Sequence, residues 1–354
     1  MTESAPTTRP VAAQHAFDVE RFAAWLRSHV QPDATGVQVA QFKGGQSNPT
    51  YLVTADDRRY VLRRKPPGKL LPSAHAVDRE YRVISALAQT GVPVPRTFGL
   101  CEDEAVIGTA FYLMDYVPGR VLWDPRLPDM TVAARRATHD EINRVIAALH
   151  CVDPVAVGLG DYGKTGEYIA RQVGRWSKQY LASETEKIEA MDKLIAWLPA
   201  HIPAGDETRI VHGDYRIDNV IFHPDEPRIV AVLDWELSTL AHPLADFAYH
   251  CMVWRIPPGV FRGLAGTDFA AEGIPTEREY VEAYCRRTAR APIPERDWEY
   301  YIAYNLFRIA AITQGVMARA LQGNASSPEA LQTGRAARPL AELAWSQVER
   351  LQLS

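Results

Sequence analysis

Residues 211–222 read VHGDYRIDNVIF, and this segment decides how the rest of the chain is interpreted. An apolar, strand-like run comes before it, and its last three residues begin a second run. Residues 232–234 read VLD, so a further aspartate follows another apolar run fifteen residues beyond Asn219. We expect Asp214, Asn219 and Asp234 to meet where these strands end.

The spacing inside this segment is typical of phosphoryl transfer. Asp214 and Asn219 lie five residues apart, as in the H-R-D-x-x-x-x-N loop of kinases, and Asp234 stands where kinases carry a metal-binding Asp. Phosphoryl transfer needs a metal to neutralise the phosphates and a carboxylate to orient the acceptor hydroxyl. A single loop Asp is more often a turn or capping residue, but the combined pattern is far more specific. We interpret His212 and Asp246 as structural supports of the loop.

Composition and charge narrow the class of protein. The 354 residues are 47% apolar and 23% charged, with a net charge of -4, which is typical of a folded protein and provides no basic field for nucleic acid or anionic lipid. No apolar run approaches the roughly 18 residues of a membrane span, and residues 1–16 lack the apolar core of a secretory signal. The four cysteines form no CxxC pair, so we expect them to be reduced and mostly buried. A cytoplasmic protein without membrane or nucleic-acid partners is therefore expected.

The periodicity of apolar residues divides the chain into a lead and two lobes. We predict a disordered lead over residues 1–15, a β-rich nucleotide-binding lobe over 16–117, and a mainly helical lobe over 118–354 that holds the catalytic loop and the acceptor site. The predicted fold class is α+β. Strands are expected at 37–42, 50–54, 60–64, 97–101, 110–117, 209–211 and 229–233, and helices at 77–88, 131–150, 165–183, 186–199, 276–290, 296–322 and 326–351. Residues 256–275 are rich in Gly and Pro and predict a long loop.

The first lobe contains candidate residues for holding a nucleotide. Gly44, Gly45, Gln46, Ser47 and Asn48 connect two predicted strands, and glycine amides can approach phosphates closely. A plain hairpin turn explains this stretch equally well.

A strand cation and a helix carboxylate follow in the chain. Arg63 ends a strand as the Lys of V-A-I-K does in kinases, and Glu80 lies on the next helix, where kinases carry the carboxylate that pairs with this Lys. Arg binds phosphate with two donors, so the role survives with altered geometry. Arg64 or Lys65 could bind the phosphates in place of Arg63.

Residues 113–117 are interpreted as a hinge that receives adenine through backbone hydrogen bonds, with Met114 and Tyr116 as candidate contacts. Simple core packing is an equally good explanation for Met114.

These motifs together resemble the aminoglycoside phosphotransferase and choline kinase superfamily, from about residue 35 to the end. The segments that carry the resemblance are FKGGQSNPTYLV, YVLRRKPPG, REYRVISAL, FYLMDYVPG, VHGDYRIDNVIF, VLDWELS and HPLADFAY. The chain looks closest to the phosphotransferase domain that some acyl-CoA dehydrogenases carry fused at one end. We expect no dehydrogenase activity, because the kinase-like pattern occupies nearly all 354 residues.

The resemblance implies a protein-kinase-like fold with two lobes and a reaction that uses ATP and Mg²⁺. By the same resemblance, Asp214 is the catalytic base, Asn219 and Asp234 are magnesium ligands, and Arg63 with Glu80 clamps the phosphates. The Arg at position 63 departs from the Lys of the broader kinase pattern.

The resemblance also suggests an acceptor with a hydroxyl group, of the hydroxyacyl-CoA type. Residues 251–354 hold twelve Arg, no Lys and eleven acidic residues, a balance that disfavours polycationic aminoglycosides. The following residues could face the acceptor but are more often surface or core residues: Arg255, Arg308, Arg319, Trp235, Trp254 and Tyr304.

Three other functions compete with this interpretation. A nucleotide-binding regulator without turnover would have lost a catalytic residue, and none of the expected residues is missing. A phosphohydrolase could use the adjacent His139 and Asp140, although no partner His follows at a fixed spacing. An aminoglycoside-type antibiotic kinase remains the third alternative.

Overall fold

The structure is a computed structural model that describes residues 8–43, 48–66, 76–324 and 329–353. The described residues form two compact units. The first comprises the chain up to Val121 together with Val157–Leu159 and Asp218–Ser238, and the second comprises the remainder. Residues 157–159 and 218–238 lie beyond the predicted boundary at residue 117 and belong to the first unit.

An antiparallel sheet dominates the first unit. Its strands in the described residues are β1 (Thr8–Arg9), β2 (Val37–Phe42), β3 (Thr50–Ala55), β4 (Arg58–Arg64), β5 (Thr97–Cys101) and β6 (Phe111–Asp115). They are arranged in the order β1-β2-β3-β4-β6-β5. The helices of this unit are α1 (Val19–His29), α2 (Val77–Leu87) and α3 (Glu104–Ile107).

Alternation along the strands builds the core of the first unit. Tyr51, Val53 and Ala55 of β3 are fully buried, whereas the residues between them are only half-buried. Phe22 of α1 and Phe111 of β6 pack edge to face, with ring centroids 5.8 Å apart. The sheet therefore packs against α1. This packing also fixes the face of the sheet on which each side chain of β4 lies.

A two-stranded hairpin completes the first unit. Its strands are β8 (Val220–Phe222) and β9 (Ile229–Val232), which follow β7 (Arg209–Val211) of the second unit. The Arg120 amide donates to the Phe222 carbonyl at 2.8 Å, and the Phe222 amide donates to the Arg120 carbonyl at the same distance. Gly119 permits this approach, because an added Cβ would lie 2.3 Å from the Phe222 carbonyl oxygen.

The second unit is mainly helical. Its helices are α4 (Val132–Cys151), α5 (Tyr168–Ala182), α6 (Glu189–Trp197), α7 (Pro243–Cys251), α8 (Phe269–Glu272), α9 (Glu277–Arg287), α10 (Glu295–Leu321), α11 (Ala330–Gly334) and α12 (Ala337–Leu353). The 27-residue helix α10 packs against α5, α7, α11 and α12. Strand β10 (Thr239–Ala241) pairs antiparallel with β7, directly before α7.

The α+β fold class is confirmed, with differences in detail. Part of the expected lead forms a strand, because Thr8 and Arg9 pair with Phe42 and Gln41 of β2. The predicted loop 256–275 contains the short helix α8, and neither α7 nor β10 was expected. None of the helices that the structure describes combines the length and the apolarity that crossing a membrane requires.

Candidate active site

Arg63 joins three carboxylates within the first unit. Its Nε lies 2.8 Å from Glu80 Oε2 on α2, and its Nη2 lies 2.8 Å from Asp234 Oδ1 after β9. The same Nη2 lies 3.6 Å from Glu236 Oε2. The structure therefore brings the predicted clamp residues Arg63 and Glu80 together with Asp234, which lies 171 residues after Arg63 in the chain.

Glu80 is buried among donors. Besides Arg63, it accepts a hydrogen bond of 2.8 Å from Asn48 Nδ2 and one of 3.1 Å from the Tyr112 hydroxyl. Burial raises the pKa of Glu80 to about 7, against the opposing effect of the Arg63 guanidinium. Burial by itself would lower the pKa of Arg63, but the charge of Glu80 and of its other acidic neighbours holds it above its usual value. Arg63 thus remains a cation.

Alternation along β4 places Arg63 and Arg64 on opposite faces of the strand. Arg64 points away from Glu80, donates to the Thr109 hydroxyl at 3.1 Å and lies over the Phe17 ring. Lys65 lies 3.8 Å from Asp78. Of the three cations that the sequence left open, Arg63 is the one that contacts Glu80.

Asn219 and Asp234 flank the same end of the β8-β9 hairpin. Val220 pairs with Val232, and beyond this pair the Leu233 amide donates to the Asn219 carbonyl at 2.8 Å. Asp234 follows in the left-handed conformation, with φ 62° and ψ 56°. Non-glycine residues adopt this conformation rarely, Asp and Asn more readily than most, and it is often found at functional sites.

The donor set at this end of the hairpin suits a hard cation. An amide oxygen and a carboxylate are the ligand types that Mg²⁺ takes, and Mg²⁺ is usually held by only one or two protein carboxylates plus phosphates and water. Among the described residues, no cluster of three or more His, Cys, Asp or Glu side chains forms a metal site of its own. Asn219 and Asp234 therefore fit a metal that arrives with a phosphate ligand.

In the second unit, Asp246 holds the backbone of the loop that carries Asp214. One carboxylate oxygen accepts from the His212 amide at 2.9 Å, and the other accepts from the Gly213 amide at 2.8 Å. His150 Nε2 lies 3.2 Å from the same carboxylate. Burial would raise the pKa of Asp246, but His150 and the His212 amide hold it below its ordinary value.

The side chains of Tyr249 and Arg216 contact Asp214. The Tyr249 hydroxyl donates a hydrogen bond to Asp214 Oδ1, and Arg216 Nε lies 3.2 Å from the same oxygen. The Asp214 amide donates to His212 Nδ1 at 3.2 Å, so the fully buried imidazole shapes the turn. An acceptor at Nδ1 places the proton of a neutral His212 on Nε2.

Arg308 covers this loop from α10. Its Nη2 donates to the Gly213 carbonyl at 3.0 Å, and its guanidinium lies 5.0 Å from the centroid of the Tyr249 ring. It also lies 5.8 Å from the ring of Trp176 on α5. Arg308, one of the arginines considered for the acceptor, therefore contacts the loop that carries Asp214.

The expected hinge residues lie near the end of β6 and directly after it. Met114 is buried in β6 and pairs with Val61 of β4. The Tyr116 ring lies 4.4 Å from the Arg59 guanidinium. The predicted phosphate-loop residues Gly44, Gly45, Gln46 and Ser47 lie outside the described residues.

The remaining candidates for the acceptor site are an ion-paired arginine, three buried aromatic residues and an exposed arginine. Arg255 pairs with Glu277 and Glu299. Trp235, Trp254 and Tyr304 are buried, and Arg319 is exposed on α10.

The adjacent pair His139 and Asp140 divides between core and surface. The buried His139 lies 3.0 Å from the Pro125 carbonyl, whereas Asp140 is exposed and pairs with Arg287. This arrangement does not support a hydrolase built on the pair.

Comparison with known proteins places these motifs. Residues 38–297 match the model of the phosphotransferase enzyme family. The chain belongs to this family. The predicted resemblance is therefore confirmed, and the Asp214 and Asp234 motifs both lie within the matched range.

The relatives of this phosphotransferase chain include fused proteins. Acyl-CoA dehydrogenase family member 10 of Mus musculus is 48% identical over 343 residues, a match that covers 96% of this chain and 32% of the relative. The chain thus spans about a third of that protein. The curated name describes the longer protein.

Two solved structures share the fold. A provisionally assigned aminoglycoside phosphotransferase of Ralstonia eutropha is 56% identical, with a TM-score of 0.88, and the match covers 95% of this chain and 99% of that one. The aminoglycoside phosphotransferase APH(4)-Ia, in complex with AMP-PNP and hygromycin B, is 15% identical with a TM-score of 0.59, covering 92% and 97% of the two chains. The second likeness shows the fold alone.

Sequence reasoning missed several residues of this phosphotransferase's candidate site. Tyr112, Glu236 and Tyr249 contact Glu80, Arg63 and Asp214, respectively. Glu236 lies two residues from Asp234 and Tyr249 three residues from Asp246, so both could have been sought around the motifs already identified. Tyr112 could have been sought only through the pairing of β4 with β6.

Proposed function

We propose that this chain transfers the γ-phosphoryl group of ATP, with Mg²⁺, to a hydroxyl group of a small molecule. The observation that carries the proposal is Arg63, which contacts a helix carboxylate and Asp234 at the same time. Taking a guanidinium and a carboxylate out of water costs several kcal/mol, so a pure stability role favours apolar residues instead. A buried cation poised beside Asp234 suits phosphate binding better.

The first unit would bind the nucleotide. Glu80, held by Asn48 and Tyr112, orients Arg63, and Arg63 offers planar donors to the phosphate oxygens. Asn219 and Asp234 would hold the magnesium ion. Bound magnesium would neutralise charge on the phosphates.

The second unit would supply the base. Asp214 accepts the proton of the acceptor hydroxyl while the hydroxyl oxygen forms a bond to the γ-phosphorus. The bond from that phosphorus to the β–γ bridging oxygen breaks, and ADP leaves with its electron pair. Asp246 contributes by keeping the backbone amides of His212 and Gly213 in place.

The acceptor that we favour is a hydroxylated acyl compound of the hydroxyacyl-CoA type. The name of the mouse relative refers to an acyl-CoA dehydrogenase, and 96% of this chain matches a part of that longer protein, which favours an acyl compound as acceptor. An aminoglycoside is the second candidate, since the 56% identical structure carries that assignment. The arginine-rich residues 251–354 favour the first.

A panel of hydroxylated compounds tests the proposal. Hydroxyacyl-CoAs, choline, sugars and aminoglycosides are incubated with Mg-ATP, and products are read by mass. We expect a phosphorylated hydroxyacyl-CoA with the wild type and almost none with Asp214→Asn. Phosphorylation of an aminoglycoside would transfer the assignment to the second candidate. Binding of Mg-ATP without any phosphorylated product across the panel would favour a regulatory role.

A further inference from the structure

One helix positions both the backbone and the side chain of the predicted base. Asp246 and Tyr249 are three residues apart on α7, so they lie on the same face of the helix. Asp246 binds the amides of His212 and Gly213, and Tyr249 donates to the carboxylate of Asp214. Two side chains of α7 therefore contact three consecutive residues of the loop: Asp246 binds residues 212 and 213, and Tyr249 binds Asp214.

Tyr249 is itself firmly held. Its side chain is buried, and the Arg308 guanidinium lies 5.0 Å above its ring while donating to the Gly213 carbonyl. Burial, with the charge of Asp214, raises the pKa of Tyr249 well above its usual value. The phenol therefore stays protonated and remains a donor at neutral pH.

We propose that Tyr249 is a positioning residue for the proposed phosphoryl transfer. Its hydroxyl donates to the Asp214 carboxylate and fixes the orientation in which this carboxylate would receive the acceptor's proton. The inference rests on the proposed function for its purpose, whereas the hydrogen bond to Asp214 can be measured without turnover.

Other charged and titratable groups face Asp214. Arg216 approaches the same carboxylate oxygen at 3.2 Å, the charge of Arg308 acts on it from α10, and His212 Nδ1 accepts from its amide. All three remain when the Tyr249 hydroxyl is removed. The expected effect is therefore a partial loss of stabilisation of the carboxylate.

The test is the ¹³Cγ chemical shift of Asp214 in the full chain at neutral pH, observed by NMR of ¹³Cγ-labelled aspartate. The Asp214 resonance is assigned as the one that disappears in Asp214→Asn. In Tyr249→Phe we expect this resonance to shift, and turnover with the acceptor that the panel identifies to fall by about tenfold, the size expected for one lost hydrogen bond to a carboxylate. The matched control is Tyr300→Phe, which removes a buried phenol bonded to the Leu198 carbonyl, and we expect no movement.

A second variant covers the case in which Tyr249→Phe fails to fold. Site-specific 3-fluorotyrosine at position 249 keeps the ring and the hydroxyl but makes the phenol a stronger donor, so the Asp214 resonance should shift in the direction opposite to that of Tyr249→Phe. An Asp214 resonance that stays in place with both variants, or that shifts equally in the Tyr300 control, would overturn the inference. Titration with Mg-ATP on the same samples separates the two ideas, because absent nucleotide binding in the wild type contradicts only the proposed function.

Discussion

The Arg63 cluster and the Asp214 loop are held in place by different kinds of interaction. Around Arg63, one guanidinium faces the carboxylates of Glu80, Asp234 and Glu236, so charged side chains make the contacts. Around Asp214, the loop is held mainly through its backbone, by Asp246 at two amides and by Arg308 at one carbonyl.

We expect this difference to separate the residues that set the affinity for Mg-ATP from the residues that set the position of Asp214. Three carboxylates around one guanidinium leave an excess of negative charge that a divalent cation can reduce, so the Arg63 cluster is suited to respond to Mg-ATP. The Asp214 loop has its backbone groups satisfied inside one unit. Substitutions in the Arg63 cluster should therefore change the affinity for the nucleotide. Substitutions of Asp214 should change the rate of phosphoryl transfer, and substitutions of Asp246, which holds the loop, should change the stability of the fold.

The largest effect is expected at the predicted base. Asp214→Asn keeps the shape of the side chain and an oxygen for Tyr249, but it cannot accept the acceptor's proton. Turnover should fall by about 10²- to 10⁴-fold, measured as phosphorylated product with the acceptor that the panel identifies. Mg-ATP affinity should change little, and an equal loss of affinity would contradict the division between the two regions.

Removing Asp246 should destabilise the fold. Asp246→Ala leaves buried amides at His212 and Gly213 without their acceptor, so the free energy of unfolding should fall by about 3–5 kcal/mol. Urea denaturation measures the loss. The exposed Asp129 serves as control, because Asp129→Ala should change stability by less than about 0.5 kcal/mol.

The difference in stability between the wild type and Asp246→Ala should depend on pH. The pKa of Asp246 is held below its ordinary value, so its charged form stabilises the folded state. This stabilisation is fully present above the ordinary Asp pKa of about 3.9 and is lost as the pH falls through the lower folded value. The gap between wild type and Asp246→Ala should therefore narrow below about pH 4, and a gap that widens there would contradict this assignment.

Substitutions of Arg63 should weaken nucleotide binding, by a smaller factor than the one by which Asp214→Asn lowers turnover. Arg63→Met should lower Mg-ATP affinity by about 10-fold or more, since it removes the phosphate donors and leaves Glu80 without its cation. Arg63→Lys should fall between this variant and the wild type, because an ammonium cannot bridge two carboxylates with a planar fork. Arg58→Met, an exposed change on the same strand, should leave affinity unchanged in the same calorimetric titration.

The smallest effect is expected at Tyr112. Tyr112→Phe removes one of the donors to Glu80 while Arg63 and Asn48 remain, so stability should fall by about 1 kcal/mol. Tyr60→Phe removes a comparable buried bond to Gln31 and should cost about the same in urea denaturation. Only the Tyr112 variant should also weaken Mg-ATP binding, by roughly twofold to threefold. Equal nucleotide affinities in the two variants would remove Tyr112 from the nucleotide site.

Local patterns predicted much of the fold. Strand β2 was predicted with the bounds that the structure shows, and α10 within one residue at each end, because their apolar residues recur at the strand and helix periods. Helix α7 was missed because all nine of its residues are buried, so it has no polar face to produce a period. Strand β10 is too short, at three residues, to stand out.

The site was predicted less completely than the fold. Motif spacing predicted Asp214, Asn219 and Asp234, and Leu233 bonding to Asn219 places the last two at one end of a hairpin. The choice of Arg63 over Arg64 depends on which face of β4 each occupies, and the contacts of Tyr249 depend on how α7 packs. Such contacts between distant residues leave no periodic signal in the sequence.

Calorimetric titration of Mg-ATP into the purified chain is the most direct test of the central proposal. We expect one nucleotide per chain, bound at least about tenfold more weakly in EDTA or in Asp234→Asn, since either change removes a predicted contact to the phosphates. A chain that binds no Mg-ATP would contradict the proposal, as would binding that neither EDTA nor the substitution weakens.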